Sequence, residues 1–410
     1  MDMKIRFLGG AEKVGSLGML LEDKGTSLLF DYGMTPSSPP SYPLPAPQVD
    51  GLFLSHAHVD HSGMVPWLCS RRNVDVHTLP PTMDVTTLLA EDSNKICDLE
   101  GYPKQYDQRD ILAMQDKYRP LSFGQVRMIG GLDVITHPAG HIPGAAMFQI
   151  KGEKKALFTG DINSSTTGLA EGVKPTGCDI LFLESTYSGR DHEPRQKTEH
   201  AFISKVEEVV DRGGTAVLPA FAVGRTQELM LLLMDKGFET WVDGMGRTIT
   251  DIFLGHGKYI RNARKLKKAK ATMKAVRNTR SRGIALRDAE VIITTSGMLD
   301  GGPVLFYLDT LMEDTKNAII LTGYQVEGTN GRMLMEQGLL KVKDANRKPK
   351  CEISFFDLSA HSGHSELAEF ARACRPDKVV LMHGDNRESL AQELSDMEVL
   401  LPETDRTYSL

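Results

Sequence analysis

The chain has 410 residues, 40% of them hydrophobic and 25% charged, with 38 glycines and a net charge of −6. That length accommodates two or three domains with sizeable cores, and the composition is that of an ordinary α/β protein. No apolar run approaches the ~20 residues a helix needs to cross a bilayer, so no membrane-spanning helix is expected, and five dispersed cysteines without a CxxC pair point to a reducing cytoplasm rather than a thiolate metal site.

Met1–Arg6 enters a strand at once and reads as carrying no secretory signal. Ile5–Leu8 is a predicted strand, and Leu17–Glu22 with Ser27–Phe30 flanks Asp23-Lys24-Gly25 as a hairpin. The second arm runs into Asp31, a carboxylate at a strand end, where site residues of α/β sheets gather. Thr35–Pro47 holds six prolines and reads as a loop edging the site. The apolar run Gly51–Leu54 is a predicted buried strand. It leads into Ser55-His56-Ala57-His58-Val59-Asp60-His61, with a helix expected from Met64. His56 and His58 alternate, so in an extended segment they face one side. The turn into the helix brings Asp60 and His61 toward that side. Imidazoles and a carboxylate crowded this closely suit a borderline ion such as zinc, and two donor pairs on one turn suggest two adjacent ions.

From Val74 to Met128 the pattern is mostly helical with short breaks, and His77 and His137, which lie in strand-like runs, read as core or surface histidines. A motif then recurs in which a strand ends in a carboxylate or histidine. His141 lies between glycine and proline, Asp161 follows Ala156–Thr159, and Glu184 follows Asp179–Leu183. The middle third alternates strands and helices, which predicts a parallel sheet of its own. Its glycine turns at Gly224, Gly297 and Gly331 are placed to offer backbone N–H groups to phosphates. Strand-end histidines return in the tail at His361 and His383, so the middle domain is inserted into the outer one. Between Lys258 and Arg287 stand twelve Lys and Arg and no acid, dividing the net charge into +12 there and −18 elsewhere. The spacing of Ile260, Ala263, Leu266, Met273 and Val276 predicts a helix over this segment with one packed face and one lysine-rich face.

The set Asp31, His56-Ala57-His58-Val59-Asp60-His61, His141 and Asp161 resembles the metallo-β-lactamase superfamily. Glu184-Ser185-Thr186-Tyr187, Ser359-Ala360-His361 and Met382-His383-Gly384 resemble motifs A, B and C of its β-CASP branch. Pro219–Arg225 and Thr295–Leu299 are similar to stretches of that branch's inserted domain. The resemblance runs through nearly the whole chain and is to RNA-processing members: cleavage and polyadenylation specificity factor endonucleases, their archaeal relatives and ribonuclease J. It implies an αββα sandwich over 1–190 and 350–410, with an α/β β-CASP domain over 191–349 inserted as a cap.

The resemblance also implies two zinc ions per chain, one on His56, His58 and His141, the other on Asp60, His61 and His383, with Asp161 bridging. Asp31 is expected to hydrogen-bond a ligand or the attacking water, and Asp60 to serve catalysis as well as metal binding. The implied reaction is hydrolysis of RNA to 5′-phosphate and 3′-hydroxyl ends, in mRNA 3′-end processing or RNA decay. His361 would be the general acid, oriented by Glu184. Arg225, Arg332 and His364 are the expected RNA contacts, with the basic segment as a second guide. Ser362-Gly363-His364 looks like ribonuclease J, so a 5′-to-3′ exonuclease stands beside the favoured endonuclease. His383 argues for RNA over DNA. A non-catalytic RNA-binding paralogue is disfavoured because every ligand position is filled, and a glyoxalase-type esterase because of the inserted domain. No K-homology domain precedes the motifs, so an extended RNA grip is not expected. The apolar Met397–Leu401 run is placed to add an edge strand to a second copy. Other RNA-processing or transcription factors are further expected partners.

Overall fold

A computed structural model describes residues 3–343 and 345–410. The chain divides into two compact units: Met1–Thr166 with Glu171–Asp191 and His361–Leu410, and Thr167–Ala170 with His192–Ala360.

The first unit is built on two seven-stranded sheets. One runs Thr407–Ser409, Lys4–Gly9, Gly18–Asp23, Thr26–Phe30, Gly51–Phe53, Val76–Thr78, Tyr118–Pro120. The other runs Glu398–Leu400, Lys378–Met382, Ile180–Glu184, Lys155–Phe158, Ala146–Lys151, Leu132–Pro138, Val126–Ile129. The period-two alternation of a strand sorts its side chains between two faces. Phe30 and Phe53 point to the second sheet, where their ring centroids lie 6.1 and 5.2 Å from Phe148, and Phe158 lies 5.1 Å from Phe30. Their neighbours Leu29 and Leu52 face the other way, into a cluster with Val65 and Leu68 of helix Val65–Arg71, Met83 of Pro80–Glu100 and Met114 of Gln108–Asp116. Helices His364–Cys374 and Arg387–Glu393 pack against strands Ile180–Glu184 and Lys378–Met382 of the second sheet. The result is the αββα order.

The second unit holds a six-stranded, wholly parallel sheet in the order Lys274–Ala275, Thr240–Asp243, Val291–Thr294, Ala216–Pro219, Ala318–Leu321, Glu352–Phe355. Because Glu352–Phe355 pairs with Ala318–Leu321, the chain returns to the first unit at His361, whereas the sequence reading put that return at 350.

Three expectations need revising. Residues 258–287 do not form one helix: Ala263–Thr272 and Thr279–Asp288 are separate helices, parted by Lys274–Ala275, which pairs with Trp241 and Val242. Asn278 starts the second helix by accepting a hydrogen bond from the Ser281 N–H at 2.9 Å. Within 74–128 the strand-like run at His77 is strand Val76–Thr78, and two further short strands, Tyr118–Pro120 and Val126–Ile129, interrupt the helices at the edges of the two sheets. Met397–Leu401 contains the strand Glu398–Leu400, which pairs in parallel with Lys378–Met382 of its own chain. Among the described residues no helix is long and apolar enough to cross a membrane.

Candidate metal centre

The whole centre lies in the first unit, at the C-terminal ends of its strands. The 55–61 turn is braced from beneath by backbone hydrogen bonds: Tyr32 N–H to His61 O, Met34 N–H to Val59 O and Leu17 N–H to Asp60 O, each 2.8 Å. Gly33 sits directly under it; a Cβ there would lie 1.7 Å from Asp60 O, so only glycine lets the two backbones approach.

Three donor groups form. In the first, His56 Nε2 and His141 Nε2 each lie 3.1 Å from His58 Nδ1. Asp161 Oδ2 lies 3.5 Å from His56 Nε2 and 3.9 Å from His141 Nε2. In the second, Asp60 Oδ2 lies 3.4 Å from His383 Nε2 and 3.9 Å from His61 Nε2. Asp161 reaches this group too, with Oδ2 3.4 Å from His61 Nε2 and Oδ1 4.0 Å from His383 Nε2. The third joins Asp161 to Glu184 and His361.

These residues fit divalent ions. Metal–nitrogen bonds of 2.0–2.1 Å make a tetrahedral edge of roughly 3.3 Å, close to the spacing of the three imidazole nitrogens. His61 Nε2, both His383 ring nitrogens and Asp161 Oδ1 are buried without a hydrogen-bond partner. Each such group costs about 1–3 kcal/mol unless something binds it. Burial, reinforced by the neighbouring His61, holds His56 well below the usual histidine range, and burial likewise lowers His58, so both are the neutral donors a metal requires. Burial alone would raise the Asp60 and Asp161 carboxyls, but positive charge at the His61 position, a proton or a cation bound in its place, overrides it and keeps both low.

Asp31 does not line the open groups. It is buried, sits at φ 57°, and its carboxylate accepts from Ser55 N–H, Ser55 Oγ–H and His61 Nδ1, all at 2.7 Å. Ser55 Oγ in turn lies 3.1 Å from His56 Nδ1. One carboxylate thus orients a donor from each cluster, the usual arrangement behind ligating histidines. A non-glycine residue in the left-handed region costs free energy that the surroundings must supply; His383, at φ 55°, is held the same way, its N–H bonded to Gly10 O at 3.0 Å.

Glu184 is buried at the end of its strand. Its Oε1 accepts from Ile162 N–H at 2.8 Å, its Oε2 from Thr186 N–H at 3.3 Å, and His361 Nδ1 lies 3.3 Å from Oε1. Burial opposes a charge on His361, but the Glu184 and Asp161 carboxylates outweigh it and push the imidazole up to about 9. The His141 and Tyr187 rings lie 4.5 and 5.7 Å from that of His361.

The expected RNA contacts are placed differently. His364 Nδ1 accepts the Gly189 N–H at 2.9 Å, so one ring nitrogen is committed to holding the turn after Glu184. Arg225 begins helix Arg225–Leu233 of the second unit, behind Gly224. Arg332, also in that unit, is bound to Glu336 at 2.6 Å. The sequence reading gave Ser55 and Gly33 no role. A hydroxyl immediately before the first histidine, and a glycine two residues after the strand-end aspartate, were their only signals.

Family profiles match this chain in three places: the metallo-beta-lactamase superfamily over residues 13–188, the Beta-Casp domain over 226–334, and the Zn-dependent metallo-hydrolase RNA specificity domain over 348–402. The chain is 33% identical over 93% of its length to "Probable RNase MJ4" of Methanocaldococcus jannaschii, covering 93% of that protein. It is 34% identical over its full length to "RNase aCSPSF2" of Saccharolobus solfataricus, covering 86% of it. With "Transcription termination factor FttA" of Methanocaldococcus jannaschii it shares 32% identity over 95% of its length, covering 68% of that protein. Among solved structures, a protein of unknown function from Enterococcus faecalis shares the fold, with a TM-score of 0.65, 15% identity and complete coverage of both chains.

Proposed function

The chain belongs to the β-CASP branch of the metallo-β-lactamase superfamily, and from that premise we propose that it is a metal-dependent ribonuclease. It hydrolyses RNA phosphodiester bonds to 5′-phosphate and 3′-hydroxyl ends, by endonucleolytic cutting, in mRNA 3′-end processing or RNA decay in the cytoplasm. The observation that carries this reading is the position of Asp161: one buried carboxylate adjoins both metal-type clusters and the Glu184–His361 pair. A centre that only stored metal would have no use for the third group.

Two zinc ions would be held by His56, His58 and His141, and by Asp60, His61 and His383, with Asp161 between them. Bound there, they would polarise the phosphodiester and make water nucleophilic near neutral pH. The remaining chemistry belongs to the chain. Asp31 keeps the proton of His61 on Nδ1, so that Nε2 presents a lone pair. Glu184 holds the His361 Nδ1 proton, and the charged ring has a second proton, on Nε2, to give to the departing 3′-oxygen. Asp60 and Asp161 offset the ionic charge and thereby keep the site from binding the anionic product too tightly. Arg225, Arg332 and His364 contact RNA phosphates.

The test is digestion of RNA labelled at either end, in 5′-triphosphate and 5′-monophosphate forms. Internal fragments from both forms are expected. Mononucleotides from the monophosphate alone would instead make the protein a 5′-exonuclease. His383→Ala should abolish cleavage with the fold intact; undiminished cleavage by that variant, or turnover of thioesters in place of RNA, would sink the reading.

A further inference from the structure

The segment with twelve cations and no acid is the largest charge feature of the chain, and the metal centre makes no use of it. Its fold separates the cations into two kinds. Acids on neighbouring elements neutralise some of them. Lys268 pairs with Asp235 at 2.9 Å, Lys270 with Asp251, and Lys274 with Glu239 at 2.5 Å. Arg282 makes a fork to buried Asp243 at 2.6 and 3.0 Å. Arg264, Lys265, Lys267, Arg277 and Arg280 are exposed, and none has an acidic partner among the described residues. Leu266 and Ala269 anchor helix Ala263–Thr272 and Val276 anchors the strand after it, so the five cations stand on packed elements.

Resting on the ribonuclease reading, we propose that these exposed cations of the second unit bind the phosphate backbone of single-stranded RNA. Charge alone would also admit an acidic protein. A stable protein interface, however, needs apolar anchors at its centre, and no large hydrophobic side chain is exposed between 258 and 287. A phosphate backbone needs only exposed cations. The other cations of the segment are already neutralised or held against an aromatic ring or the backbone, so the unpaired five mark where the polyanion lies. They hold RNA without reading its sequence, since backbone contacts position a strand and base contacts specify it.

The experiment measures binding of a fluorescent oligouridylate to the metal-loaded protein across a potassium chloride series. Each phosphate contact contributes about 0.7 to the slope of log affinity against log salt for a single strand. Replacing Arg264, Lys265, Lys267, Arg277 and Arg280 together by Gln should therefore lower the slope by up to about 3.5, with the loss in kcat/KM greater for a long RNA than for a trinucleotide. Lys197→Gln, which removes a lysine already paired with Glu193, should leave the slope unchanged. Circular dichroism establishes that each variant is folded, and Arg264→Gln with Lys267→Gln alone serves if the fivefold variant is not. A slope equal to that of the unaltered protein overturns the proposal and leaves the nuclease reading standing. Failure of the unaltered protein to bind or cut RNA overturns both.

Discussion

Asp31→Asn is the most informative perturbation of the centre, because it changes almost no volume. The native carboxylate accepts three hydrogen bonds at 2.7 Å, from Ser55 N–H, Ser55 Oγ–H and His61 Nδ1. In the amide, one oxygen still serves the Ser55 N–H, and the Ser55 hydroxyl can turn to accept. The NH2 then faces His61 Nδ1 as a donor, so that nitrogen must give up its proton and accept. The neutral ring consequently protonates Nε2, the atom 3.4 Å from Asp161 and 3.9 Å from Asp60, and it ceases to be a ligand in that tautomer. Flipping the amide instead leaves the buried Ser55 N–H facing a donor, at about 1–3 kcal/mol. Either route predicts a loss of ~10–100-fold in metal affinity, the usual effect of removing the partner behind a ligating histidine. The readout is competition with a chromophoric chelator, with near-ultraviolet dichroism reporting the fold. Asp23→Asn, a buried carboxylate at the turn end of the same hairpin, is the control and should bind metal normally. Native metal affinity in Asp31→Asn would refute the tautomer argument.

Further outcomes follow from the same geometry. Gly33→Ala would put a Cβ 1.7 Å from Asp60 O, so the histidine turn must move by more than an ångström; metal content should fall together with a stability loss of about 1–3 kcal/mol. Unchanged metal content there would show that the turn is not braced from below. Glu184→Gln should lower the cleavage rate by ~10²–10⁴-fold while metal binding is retained. Because Glu184 is the largest influence raising His361, the activity that disappears as pH climbs through about 9 should disappear at lower pH in this variant. His77 is stacked on Phe53 at 5.0 Å, and burial, with Arg127 second, lowers it to about 4. The folded state favours the neutral ring, so its contribution is complete above ~6.5 and declines as pH falls from there through about 4. Acidification across that window should cost about 2–3 kcal/mol, and much less in His77→Gln, by urea unfolding at each pH; equal losses in both would remove His77 as the cause.

Much of the centre was readable before folding was considered, for a local reason. His56, His58, Asp60 and His61 are separated by one or two residues, so strand alternation and one helical turn bring them together whatever the remainder of the chain does. The repeated strand-then-carboxylate motif similarly marked Asp161 and Glu184, because parallel strands present their C-terminal ends on one side of a sheet. Other features depend on contacts distant in sequence. That Asp31 serves both His61 and, through Ser55, His56 is settled by strand Thr26–Phe30 lying beside Gly51–Phe53 in register. That residues 258–287 break into two helices follows from Lys274–Ala275 adding to the edge of a sheet, where main-chain pairing outweighs a helical spacing that the apolar residues satisfy equally well. Local order sufficed to single out the candidate donors of the 55–61 turn; only the tertiary fold decided which atoms meet, since hydrogen bonds and ion pairs depend on separations of a few ångströms that sequence distance does not encode.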